Sequence, residues 1–156
     1  MPNWFYLFVN TLYHLGLGLW IGGAVVLSAL VAPALFAALP RHQAVGIFGP
    51  ILRRFARLRL AALVMIIVGA GVKFLIWERH DMAPWLAVRW AAIVLLAWAL
   101  VVDLSRTSRL IRSLASVGPD IPPDDPRRQF NDLMHIRADG IMKASVVAAF
   151  IALLFS

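Results

Sequence analysis

Four stretches of the chain stay apolar long enough to cross a hydrocarbon layer about 30 Å thick, and polar or basic stretches separate them. The first span covers residues 4–31, and its apolar character continues through "APALFAAL" to Leu39. That is too long for one straight span, and Pro33 is the expected bend or break. The second span covers residues 60–77. Its helix is expected to start near Pro50, a favourable first helical residue, with the basic, amphipathic opening "PILRRFARLRL". The third span covers residues 84–104, and its helix is expected to continue through "SRTSRLIRSLAS" to the stop signal Gly118-Pro119. "GPDIPPDDP" is the clear loop. Asp125 and Pro126 form an N-cap and N1 pair, so the fourth helix starts there, polar at first and apolar over its span, residues 140–156. The pattern predicts an all-α, four-helix transmembrane bundle, a single integral membrane domain over residues 1–156. Helices three and four extend from it as a cytoplasmic helical hairpin.

Composition sharpens the class. The chain of 156 residues is 62% hydrophobic and 15% charged, where a soluble domain carries about a quarter charged residues. It cannot cover a water-facing surface with polar groups, so the lipid bilayer is its expected surrounding. Cysteine is absent, which excludes a disulfide and a thiolate metal site. The first residues lack the basic region and cleavage site of a signal peptide, so the first helix is expected to be retained.

The formal charge of +7 matters through its placement. Arg41, Arg53, Arg54, Arg57 and Arg59 lie between spans one and two. Arg106, Arg109, Arg112, Arg127, Arg128 and Arg137 lie between spans three and four. The turn "ERHDMA" sets Arg79 against Glu78 and Asp81, and neither terminus carries a basic side chain. The positive-inside rule then predicts both termini outside the cytoplasm. No interleaved aromatic and basic surface points to nucleic acid.

Several polar residues interrupt the apolar spans. Asn10, His14, Gly18 and Gly22 recur every four residues and share one helix face. Gly18 and Gly22 are expected to pack against a neighbouring helix, which sets His14 towards the bundle interior. There His14 either hydrogen-bonds across helices or ligates haem or a metal; the first is the default, with no cofactor expected. Lys73 and Arg89 are expected to snorkel to the outer interface beside Trp77, Trp85 and Trp90; the sharper alternative joins them with His14 in a small polar site. On the fourth helix Asn131, His135, Asp139 and Lys143 form a second stripe at four-residue spacing, and Asp103 is expected to join it through Lys143 or to pair with Arg59. A metal held by His135 and Asp139 would need a further ligand. Gly140, Ala144 and Ala148 continue this stripe as a packing face. No nucleophile–base pair, phosphate loop or H-E-x-x-H motif supports hydrolase or transferase chemistry.

The motifs Trp20-x-Gly22-Gly23, "APALF" at residues 32–36, "LPRH" at residues 39–42, and Phe130 with His135 resemble a family of small bacterial four-helix membrane proteins. That family is related to human transmembrane protein 205 and to the membrane domain of copper resistance protein D. The resemblance implies a four-helix fold in a bacterial inner membrane and a link to metal handling, with no established reaction. His14 and Trp20 more remotely resemble the first helix of the haem-containing bacterial protoporphyrinogen oxidase. Arg89-Trp90 stands where that enzyme has a His and a Lys, which argues against its activity. The expected role is therefore non-enzymatic: an accessory or structural subunit of a larger membrane assembly, with other membrane protein subunits as partners, or a small metal-handling protein. The alternative is a haem- or copper-binding redox protein with His14 as ligand.

Overall fold

A computed structural model describes the backbone of residues 3–80, 83–115 and 126–156, with the side chains of these except 41, 42, 45 and 106–139. The fold is all-α. Helix α1 (Asn3–Val25) widens into a π segment (Val26–Val31) and continues as α2 (Ala32–Ala38). Helix α3 (Arg41–Lys73) ends in a second π segment (Phe74–Glu78) before α4 (Pro84–Ala115) and α5 (Pro126–Leu154). The runs Asn3–Ala38, Gly46–Glu78 and Pro84–Ser105 are long and apolar enough to cross a membrane, and Gly140–Leu154 is a shorter apolar helix. The chain is an integral membrane protein built as a helical bundle.

Two prolines interrupt the apolar helices, and neither ends one. Pro33 sits in the first turn of α2 and does not break the run. A proline offers no N–H to the preceding turn, and the π register just before it absorbs the mismatch. There the Ala32 N–H reaches the Leu27 carbonyl, and the Ser28 hydroxyl donates to the Ala24 carbonyl at 2.8 Å. Helix α3 starts at Arg41 and runs through Pro50, so its expected start near Pro50 is corrected. The true stop is Pro40: its extended backbone breaks the chain from α2, and its carbonyl accepts the Gln43 and Ala44 N–H groups, each at 3.0 Å.

Helix α1 packs on α3 and α5, and each of these packs on α4, which closes an up-down-up-down ring. One end of the ring, the terminus end, gathers the chain termini and the α3–α4 turn. The other, the link end, carries the α2–α3 connection, the end of α4 and the start of α5. The core threads the ring: Tyr13, Leu17 and Trp20 of α1 meet Ala62, Ile66 and Ala70 of α3, Leu96 and Leu100 of α4, and Ala148, Ala149 and Ala152 of α5.

Three glycines set the α1–α3 distance. A Cβ on Gly16 would stand 2.8 Å from the Ala62 carbonyl oxygen, and one on Gly69 would stand 2.8 Å from Tyr13 Cβ. A Cβ on Gly23 would run into the Phe55 ring. The expected packing pair is corrected here: Gly18 and Gly22 are exposed, and a Cβ on either would meet nothing within 4 Å. At about 100° per residue, the face that turns inward is that of Tyr13, Gly16, Leu17 and Trp20. On α5 the inward face is Ser145, Ala148, Ala149 and Ala152. Ala148 lies on it, whereas Gly140 and Ala144 point outward.

Candidate functional site

The polar groups of the interior gather at the two ends of the ring. At the terminus end, Lys73 and Arg89 are almost fully buried, at 3% and 0% exposure. They do not snorkel as the sequence suggested, because each finds a partner inside. Both Arg89 Nη atoms donate to the Glu78 carboxylate, Nη1 to Oε1 at 3.0 Å and Nη2 to Oε2. Glu78 closes the π segment after α3, so this bidentate pair clasps the turn between α3 and α4. The Trp85 ring lies 5.4 Å from the Arg89 Cζ. Lys73 Nζ donates to Asn10 Oδ1 at 3.1 Å, with the Tyr13 and Tyr6 ring centroids 5.4 and 6.0 Å away.

Asn10 joins this cation to His14. The Asn10 backbone carbonyl lies 2.7 Å from His14 Nδ1, and the Ser156 hydroxyl lies 3.1 Å from Nε2. A carbonyl can only accept, so Nδ1 carries the hydrogen and a neutral ring leaves Nε2 as an acceptor. His14 is half-buried and faces the C-terminal residue rather than the centre of the ring. Beside it the buried Tyr13 hydroxyl donates to the Ala152 carbonyl at 2.7 Å, satisfying a group in the last turn of α5 that has no intrahelical partner. Asn10, His14 and Lys73 thus form one chain of contacts, while Arg89 is held apart by Glu78.

At the link end Arg59, 2% exposed, pairs with Asp103 across α3 and α4 through Nη1. The Trp20 ring centroid lies 4.4 Å from its Cζ and that of Phe55 5.8 Å away. Trp20 Nε1 donates to Ser145 Oγ at 3.4 Å, and that hydroxyl donates to the Met142 carbonyl at 2.8 Å. Of the expected stripe, Asp103 thus partners Arg59 and Lys143 is exposed on α5. Asn131, His135 and Asp139 lie on α5 with side chains outside the described residues. Among the described residues no three His, Cys, Asp or Glu side chains group to hold a metal ion.

Sequence reasoning missed Gly16, Gly69, Tyr13 and Ser145. The Tyr13-Gly16-Trp20 spacing marks a helix face as well as the Asn10-His14-Gly18 spacing does; what it lacks is a polar residue to draw attention. The family model described as Domain of unknown function (DUF4149) matches residues 15–113. No curated protein and no solved structure matches the chain.

Proposed function

The chain belongs to the family described as Domain of unknown function (DUF4149), and we propose that it serves as a non-enzymatic accessory subunit of a larger membrane assembly. The outer face of α1 carries this reading. Gly18 and Gly22 lie exposed there with open space where a side chain would be, beside the exposed Leu15, Val25 and Val26. Glycine in a helix interior costs about 1 kcal/mol against alanine, so two on a lipid-facing surface are an expense unless another helix approaches closely. The interior supports the same view: Glu78 occupies Arg89, and Asn10 engages both Lys73 and His14. In mild detergent the protein should run as a particle larger than one chain. Gly22→Leu should shrink that particle without lowering the unfolding midpoint of the bundle. A wild-type particle the size of one chain overturns the reading.

The arginine-rich links support a bacterial inner-membrane location with both termini outside the cytoplasm. Terminal reporter fusions active only in the cytoplasm would reverse that orientation.

His14 favours a second reading, a small metal-handling or haem-binding protein. An imidazole whose Nδ1–H is held by a carbonyl presents Nε2 as a ligand atom, and Ser156 Oγ is the group it faces. One imidazole is a single ligand, so the remaining ligands would come from another subunit. Stoichiometric haem or copper in the purified protein, removed by His14→Ala, would promote this reading over the first.

A further inference from the structure

Helix α3 turns Phe55, Arg59, Ala62, Ile66 and Ala70 into the ring. At about 100° per residue the opposite face is that of Arg53, Arg57, Leu60, Val64 and Val68. All five are exposed, and the exposed Arg54 lies beside them. Among the described residues no ion pair engages these three arginines; Asp103 is taken by Arg59 and Glu78 by Arg89. The sequence explains the excess. No Asp or Glu precedes Glu78, so α1, α2 and α3 offer no carboxylate at all. Three like charges within little more than one turn repel one another, and an anion between them relieves that repulsion.

Depth along the helix indicates which anion. The apolar run of α3 begins at Leu60. At 1.5 Å per residue Arg57 stands about 4–5 Å beyond it and Arg53 about 10 Å beyond it. Headgroups fill roughly the first 5–8 Å outside the hydrocarbon core. Arg57 lies within that layer, and the Arg53 side chain is long enough to reach back to it. On the same face, next along the helix, Leu60, Val64 and Val68 form an exposed apolar strip that meets acyl chains. A phospholipid lying along α3 sets its chains on this strip and its phosphate among the guanidinium groups, which bind phosphate oxygens through paired N–H donors. A soluble anion would leave the strip unused. We propose that Arg53, Arg54 and Arg57 hold the phosphate of an anionic phospholipid on the outer face of α3, at the link end of the bundle.

The test uses the full-length protein, delipidated in detergent and supplied with phosphatidylglycerol or phosphatidylcholine of the same acyl chains, and read by native mass spectrometry. Phosphatidylglycerol should be retained in preference to phosphatidylcholine. The double variant Arg53→Gln/Arg57→Gln should cut that preference about tenfold, the order expected when two basic residues leave an anionic surface. Its unfolding midpoint without lipid should match the wild type, because both side chains are exposed. Arg79→Gln removes a positive charge from the exposed turn at the terminus end and should leave the preference unchanged. Inorganic phosphate at the lipid's concentration should not displace phosphatidylglycerol. An equal preference in wild type and double variant overturns the proposal. So does a comparable loss in Arg79→Gln, which would assign retention to net charge. Displacement by inorganic phosphate overturns it too, by assigning the arginines to a soluble anion.

Discussion

The two ends of the bundle each bury an arginine, and they hold it differently. At the terminus end Arg89 meets a carboxylate eleven residues earlier in the chain, with both Nη atoms engaged and only Nε unpartnered among the described residues. Lys73 beside it is held by Asn10 and aromatic rings. At the link end Arg59 reaches across to Asp103, 44 residues away, through Nη1, and among the described residues its other two nitrogen atoms have no partner. A short-range bidentate clasp closes a turn within one helical hairpin. A long-range single contact ties α3 to α4. One end is a local joint, and the other fastens helices far apart in the sequence.

The largest expected effect breaks the joint. Glu78→Ala strands the fully buried Arg89, and breaking such a pair costs about 3–5 kcal/mol of stability, measured by unfolding in detergent. Asp103→Ala should cost less, about 1–3 kcal/mol, because Asp103 is partly exposed. A larger loss from Asp103→Ala would invert the contrast between the ends.

The next effect concerns the glycines. Gly69→Ala and Gly16→Ala force a methyl against the facing helix and should cost about 1–3 kcal/mol. Gly18→Ala and Gly22→Ala add a methyl into open space and should stabilise the isolated bundle by up to about 1 kcal/mol. The same unfolding measurement separates the two sets; equal behaviour would mean that the α1–α3 approach is looser than described.

The smallest effect compares two hydrogen bonds. Tyr13→Phe removes a 2.7 Å bond at the terminus end and should cost about 1 kcal/mol. Ser145→Ala frees Trp20 Nε1 from a 3.4 Å contact at the link end and should cost about half as much. A larger loss at Ser145 would show that the Trp20 indole depends on that hydroxyl more than its distance implies.

Much of the fold was legible because long apolar runs in a chain poor in charge admit few alternatives to spanning helices. The start of α5 at Pro126 follows from the proline itself. What stayed hidden is rotation about each helix axis. In water, polarity marks the outer face of a helix, but in a bilayer both faces are apolar, so Leu15 and Leu17 read alike although only Leu17 is buried. Glycine spacing was therefore assigned to the inner face when Gly16 and Gly69 make the close approach and Gly18 and Gly22 do not. The sequence suggests snorkelling for Lys73 and Arg89 because the partners Asn10 and Glu78 become neighbours only after folding. The Arg59–Asp103 pairing was one of two options open to Asp103, and the orphaned edge of Arg59 has no sequence signature at all.

The central claim is that the open glycine face of α1 meets another subunit, and the absence of cysteine permits a direct test. Single cysteines placed by Gly18→Cys, Gly22→Cys and, on the exposed face of α4, Val94→Cys can carry a photoactivated cross-linker in native membranes. The account predicts a discrete higher-mass protein adduct from positions 18 and 22 and only lipid adducts from position 94. Lipid adducts alone at all three positions would contradict it.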